Sequence, residues 1–331
     1  MGQGREGFDL NERGLQAAAR GDHAAANRLY QQAIEVWRGM GPDYRAHLGV
    51  TEYNLAQSLC AQGRRGEALP ILENAVQLLR ETVGVRNLNT LTTMNYLASL
   101  SLMRGNTAQA EALFREALAV ERELYPKNVQ LALSLGGLSS ILVREDKAVE
   151  ALPLAEESLS IALATEGEDS LHTALAYANV ATVHKWERKY DRALPLYRKS
   201  LSIYERLLGP DHPRAAGVLT EIGLIEMQDG NYTLAERDMQ HSLNIVERAG
   251  LDFEQWIGES NLGMLRYRQG KYDEAARLLA HSLSMQEEAG IHTGRDMAIT
   301  LDTLAKVRER QRRFEDAKEL RERAVTISSY R

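Results

Sequence analysis

GNYTLAERDMQHSL, residues 230–243, returns forty residues later as GKYDEAARLLAHSL, residues 270–283. The glycine, the tyrosine, the central alanine and the closing His-Ser-Leu keep their phase. Six further alanines stand at that phase, so Ala26, Ala68, Ala110, Ala151, Ala193, Ala235, Ala275 and Ala317 form a series spaced by 42, 42, 41, 42, 42, 40 and 42 residues. Seven residues after each comes another small side chain: Ala33, Ala75, Ala117, Ser158, Ser200, Ser242, Ser282 or Ala324. An aliphatic residue follows each of these, from Ile34 to Val325, and twelve residues before each anchor stands Gly14, Ala56, Ala98, Ser139, Ala181, Gly223, Gly263 or Ala305. Self-similarity of this period marks an array of stacked units. Small residues at three fixed phases are what two helices need where their axes cross closely.

Within a unit the pattern is helical: Leu194, Tyr197, Leu201 and Tyr204 recur at three- and four-residue steps, giving one apolar stripe. Five residues before the anchors stand Gly21, Gly63, Gly105, Gly230 and Gly270, with Asp146, Arg188 and Arg312 in the other three units. That position fits the left-handed residue that ends a helix, where glycine has no steric penalty. Each unit therefore reads as a helix, a tight turn at this residue, and a second helix.

The turn glycine, the small residue twelve before the anchor, the anchor alanine, and the small–aliphatic pair after it resemble the tetratricopeptide repeat. A large apolar residue four after the anchor (Tyr30, Leu72, Phe114, Tyr197, Met239, Leu279) strengthens the likeness, from which Ala155 and Arg321 depart. The unit of about 42 residues exceeds the family's ordinary 34 and is similar to the kinesin light chain type. The resemblance implies an all-α, right-handed superhelical solenoid of eight helix–turn–helix hairpins. The expected array occupies residues 8–331 after an N-terminal tail of 1–7, with repeats near 8–46, 47–88, 89–129, 130–170, 171–213, 214–253, 254–294 and 295–331.

LGPDHPRAA, residues 208–216, tests this reading, because Asp211–His212 also resembles a fragment of a metal or catalytic site. Gly209–Pro210 stops an incoming helix, Asp211 or His212 caps the next, and Pro213 is tolerated in its first turn. Pro42, Pro126 and Pro210 lie 84 residues apart, twice the repeat, while Pro70, Pro153 and Pro195 each follow an anchor by two. The motif is a joint between helices. His241 and His281 share one repeat phase and are explained by duplication, since helices about 9–10 Å apart suit a single metal ion poorly.

Composition narrows the function classes. The chain has 331 residues, 40 basic and 46 acidic, so the basic excess of a general nucleic-acid surface is missing. One cysteine, Cys60, excludes an internal disulfide and multi-thiolate zinc sites. No phosphate loop, HExxH, GxSxG or EF-hand pattern occurs. No apolar run is long enough to span a membrane, and MGQGREGFDL lacks the apolar core of a signal peptide. The expectation is a cytoplasmic, non-enzymatic chain with no cofactor, metal, nucleic acid or membrane partner.

In this family the first helices of the hairpins line a concave groove. Inward phases there carry Tyr53, Asn54, Asn95, Asn179 and Asn261, with Asn11 beside them. An amide offers both donor and acceptor, so it can hold the backbone of an extended peptide whatever its side chains. In the fourth unit Gly136–Gly137, with Ser140 on the same face, either lets helices pack closer or leaves a pocket bordered by Asn95, Ser99, Asn179 and Thr182. Farther along, Lys185, Trp186, Arg268, Lys306 and Arg310 suit an acidic segment, with Trp186 as an apolar or cation–π contact. The partner class is a protein or an extended peptide. The function is an interaction scaffold, or alternatively a peptide-responsive sensor that controls an effector.

Overall fold

The structure, a computed structural model, describes residues 2–291 and 294–329. Besides one short 3-10 helix (Pro42–Tyr44), the described residues form sixteen α-helices and no β-strand. They run in pairs: α1 (Gly2–Ala19) and α2 (His23–Gly39), α3 (Arg45–Ala61) and α4 (Arg65–Thr82), α5 (Leu88–Met103) and α6 (Thr107–Leu124), α7 (Val129–Arg144) and α8 (Ala148–Glu166). Then come α9 (Leu171–Trp186), α10 (Tyr190–Leu208), α11 (Pro213–Gln228) and α12 (Tyr232–Arg248), followed by α13 (Asp252–Arg268), α14 (Tyr272–Glu288), α15 (Arg295–Arg310) and α16 (Phe314–Ser329). The helices divide into two compact units, α1–α9 and α10–α16, with the break between Glu187 and Arg188. Residues 2–7, expected as a tail, are instead the first turns of α1. Gly4 lies against Met40 and Tyr44, and Gly7 against the Trp37 ring, so this end of α1 is packed. Met1, residues 292–293 of the seventh repeat and residues 330–331 of the eighth lie outside the described residues.

All eight turn residues have positive φ, from +58° at Arg188 to +82° at Gly105. The left-handed backbone is therefore a property of the turn, and three units adopt it without glycine. The chain after the turn bonds back in the Schellman manner: the Arg64 N–H reaches the Leu59 carbonyl at 3.0 Å, and the Lys147 N–H reaches Leu142 at 2.8 Å. The carbonyls orphaned at the end of each first helix are satisfied in this way.

The small residues are the crossing points. Seven anchors, from Ala26 to Ala275, have no solvent exposure, and Ala317 has 2%. A Cβ added at Gly14 would sit 2.4 Å from the Tyr30 ring, and one at Gly263 would sit 2.8 Å from Leu279 Cγ. Large residues four after the anchor thus fill the space vacated twelve before it. Ser158, Ser242 and Ser282 donate their hydroxyls to the carbonyls of Ala132, Ala216 and Trp256 at 2.6, 2.8 and 2.8 Å, each 26 residues earlier. In these three hairpins one side chain of the second helix so pins the start of the first.

The joint at 208–216 is structural. His212 Nδ1 accepts the Arg214 N–H at 3.1 Å and caps α11, with Pro213 at its first position. Asp211 lies 2.9 Å from His241 Nε2 and 3.3 Å from Arg248, and the His241 contact, then Arg248, holds its carboxyl below the usual range. Among the described residues no group of three His, Cys, Asp or Glu is placed to hold a metal ion, and no helix is long and apolar enough to cross a membrane.

Candidate functional site

In the first unit the candidate residues sit on the first helices α3, α5, α7 and α9. At one end α1, α3 and α5 enclose a shallow pocket of about 240 Å³ lined by Asn11, Tyr53, Asn54 and Asn89 among others. Asn54 donates from Nδ2 to Asn11 Oδ1 at 3.0 Å, which leaves the Asn11 amino group and the Asn54 carbonyl for a ligand. Tyr53 accepts from Gln57 Nε2 at 2.7 Å and meets Tyr96 edge to face at 5.7 Å. Burial pushes the Tyr53 phenol up to about 12, so it stays a neutral donor–acceptor. Burial also raises the Cys60 thiol, which makes it a poor nucleophile and a packing residue.

Asn95 is not available to a partner. It is 4% exposed, its Nδ2 donates to Glu121 Oε1 at 2.9 Å, and the Ser134 hydroxyl lies 2.8 Å from its Oδ1 and 2.6 Å from Glu121 Oε2. Burial raises the Glu121 carboxyl. When Glu121 is protonated every atom of the triad is satisfied: the carboxyl donates to Ser134, and Ser134 donates to Asn95. Asn95 thus ties α5 to α6 and α7. The hydroxyl position recurs as Thr51, Thr93 and Thr300, and Trp37 meets Thr51 as Glu121 meets Ser134, but only this unit puts a carboxylate eleven residues after its anchor.

The Gly136–Gly137 pair resolves into two packing contacts rather than an open pocket. A Cβ at Gly137 would lie 2.2 Å from Phe114 Cζ, and one at Gly136 would lie 2.4 Å from Asn179 Nδ2. The first glycine seats the Asn179 amide and the second seats the Phe114 ring. Asn179 is half-buried, and among the described residues its amide has no hydrogen-bond partner. Ser99, Ser140 and Thr182 each donate to the carbonyl four residues back, at 2.9, 3.0 and 2.9 Å. Ser99 and Ser140 keep their acceptor lone pairs. At the end of α9, Lys185 and Trp186 are half-buried, and Trp186 Nε1 donates to Asp146 Oδ1 at 2.8 Å. The left-handed Asp146 is thereby held as the indole's partner.

In the second unit Asn261 is half-buried on α13, again without a hydrogen-bond partner among the described residues. Arg268, Lys306 and Arg310 are exposed. Lys306 pairs with Asp302 at 2.6 Å, and a hydrogen bond to Tyr267 raises the Arg310 guanidinium above its ordinary value. Two buried carboxylates, Glu52 and Glu259, belong to no sequence motif. Glu52 and Glu259 both stand sixteen before an anchor and meet Asn74 and His281, both six after it, at 2.6 Å. Their common spacing was readable once the anchors were known.

A family model for the tetratricopeptide repeat matches residues 47–123, 173–248 and 257–329. Among curated proteins none matches the sequence significantly. A crystal structure of a Rap protein complexed with competence and sporulation factor aligns at a TM-score of 0.73 and 13% identity, over 98% of this chain and 85% of that one. A signal transduction ATPase with numerous domains and a tetratricopeptide repeat sensor, from Pyrococcus horikoshii, aligns at 0.59 and 14% identity, over 92% of this chain and 46% of that one. A putative kinesin light chain from Podosopora anserina, with nearly identical repeats, aligns at 0.47 and 17% identity over 61% of this chain and 96% of that one. At these identities the likeness concerns the fold.

Proposed function

The chain belongs to the tetratricopeptide repeat family, a protein- and peptide-binding scaffold, and from that premise we propose that its first helices hold an extended peptide by its backbone. The observation that carries the reading is the Gly136–Asn179 contact. A glycine inside a helix costs about 1 kcal/mol relative to alanine. Here it keeps room for an amide that the fold itself does not use, since no hydrogen bond to Asn179 is made among the described residues. Asn54 with Asn11 offers a second amide on the same unit, and Asn261 a comparable one in the second unit. Tyr53, Ser99 and Ser140 add hydroxyl acceptors, while Thr182, Lys185, Trp186, Arg268, Lys306 and Arg310 are the side chains from which sequence preference would come. Asn95 drops out of the proposed contact set because its amide is bonded within the fold.

A display library of extended peptides, selected on the whole chain, supplies the ligand for the test. Calorimetry then compares the wild type with Asn179→Ala and Gly136→Ala. Each variant weakens binding by about 0.5–1.5 kcal/mol, the ordinary value of one hydrogen bond. Asn179→Ala leaves the urea midpoint within the small range of an unpartnered polar site. Unchanged affinity in both variants refutes the contact.

The fold likeness to a protein solved with competence and sporulation factor and to a repeat sensor supports a second reading, a peptide-responsive module controlling an effector. Small-angle scattering with and without the selected peptide separates the two. A change of dimensions on binding favours the sensor, and none favours the plain scaffold.

A further inference from the structure

Glu236, one residue after its anchor on α12, is received by two donors and a further positive charge from the next hairpin. Arg266 Nη1 lies 2.7 Å from it and Gln269 Nε2 donates to it at 2.8 Å, while Lys271 stands close enough to add its charge. The Gln269 and Arg266 hydrogen bonds, in that order, hold the Glu236 carboxyl below the usual carboxylate range. The seat repeats one hairpin later. Forty-two residues on, Arg266, Gln269 and Lys271 become Arg308, Gln311 and Arg313, and the Arg–Gln hydrogen bond is kept, at 2.9 Å in the first seat and 2.8 Å in the second. The carboxylate is not kept, because Ala276 stands where Glu236 stood.

An open pocket of about 700 Å³ lies there, lined by Asp273, Ala276, Arg277, Arg308, Gln311 and Arg313 among others. Asp273 accepts from Gln311 at 2.7 Å, and Asp316 pairs with Arg313. Among the described residues no carboxylate lies within ion-pair distance of Arg308 or Arg277. A half-buried guanidinium in an inherited anion seat, with a second beside it, matches the fork geometry of a carboxylate. We propose that this pocket, distinct from the groove, binds an acidic side chain of a protein segment, placed as Glu236 is placed in the preceding hairpin.

The test uses the whole chain and a fluorescein-labelled glutamate-rich peptide, followed by anisotropy. Ala276→Glu fills the seat from within. It is expected to weaken the peptide by about tenfold or more, the worth of one charge-assisted hydrogen bond or more. It is also expected to raise the melting temperature, since the Arg308 guanidinium is already in place without a carboxylate. Arg308→Gln weakens the peptide while leaving the affinity of a groove-selected peptide unchanged. Several results overturn the proposal: no peptide binding to the wild type, full binding to Ala276→Glu, or a lower melting temperature for that variant. Displacement of the peptide by equimolar inorganic phosphate also overturns it, in favour of a general anion patch. Self-association abolished by Ala276→Glu overturns it in favour of a second copy of the chain.

Discussion

Two helical glycines make a matched pair with opposite expected outcomes. Gly137 lies within α7 and Gly217 within α11, so alanine at either position removes the backbone-entropy cost of glycine, a gain of about 1 kcal/mol. At Gly217 no atom lies within 4 Å of the new methyl group, and the full gain is expected. At Gly137 the methyl carbon would lie 2.2, 2.5 and 2.6 Å from three carbons of the Phe114 ring. Carbon atoms rest about 3.5–4.0 Å apart, so the ring must retreat by more than ~1 Å. Phe114 is 1% exposed, so the ring cannot swing out into solvent. Overpacking of this kind costs about 1–3 kcal/mol, and the rigid ring places it at the upper end. The helix gain offsets part of that, leaving Gly137→Ala destabilised by about 1–2 kcal/mol. Urea denaturation measures both variants. Hydrogen exchange of the α7 and α11 amides then shows that each effect falls in its own unit, as nearest-neighbour coupling in arrays requires. A Gly137→Ala variant as stable as the wild type would refute the packing assignment, and a destabilised Gly217→Ala would refute the propensity argument.

Three further outcomes follow from named contacts. Because burial raises the Glu121 carboxyl, the folded state holds its proton where the unfolded chain has lost it, so this group's contribution to stability falls as pH rises from the ordinary carboxylate value through the raised one. Glu121→Gln keeps both hydrogen bonds without the charge, so its urea midpoint should fall less over about pH 4–8 and be no lower than wild type at the upper end. Glu52 and Glu226, whose carboxyls burial also raises, add to the residual fall, and His212, whose imidazole burial lowers, opposes it. Arg312→Gly relieves a non-glycine residue at φ +61° and should stabilise by about 0.5–1 kcal/mol in a thermal melt. Asp146→Gly relieves the same strain but removes the Trp186 acceptor, so it should gain less than Arg312→Gly, and equal gains would mean that the indole bond contributes nothing.

What repeats was legible in the sequence, and what occurs once was not. The anchors, the crossing residues and the turns are each stated eight times, so a period of about 42 residues revealed them, including the turns at Asp146, Arg188 and Arg312 where glycine is missing. The joint at Asp211–His212 was legible because proline and glycine chemistry is local. Asn95 and Asn179 show the limit. Their phases differ by one residue and their side chains are identical, yet one is bonded inside and the other is not. The difference comes from Glu121 and Ser134 around the first and from Gly136 beneath the second. Glu121 lies in the same hairpin as Asn95, while Ser134 and Gly136 come from the hairpin beside it, and neither the Glu121 carboxylate nor the Gly136 gap recurs at its phase. The first turns of α1 were misread as a tail for a related reason: their packing partners, Trp37, Met40 and Tyr44, lie at the end of α2 and beyond, where the first unit follows no repeat rule.

An array therefore carries its own controls. Each position is seen in several copies with nearly the same backbone, and a copy that departs from the others at a cost marks where selection acted on something besides stacking. Glycine at 136 sacrifices helix stability, and the amide it seats does nothing for the fold. Alanine at 276 forgoes the carboxylate that would meet Arg308, whose counterpart Arg266 holds Glu236 at 2.7 Å one hairpin earlier, while Gln311 and Arg313 have turned to Asp273 and Asp316. Arg321, exposed where other units place a large apolar residue, is the counter-example: it ion-pairs with Glu309, so that departure is already accounted for within its own hairpin. The distinction between a departure whose partner is present and one whose partner is missing is what separates a site from an edge, and it places the two candidate sites at Asn179 and Arg308.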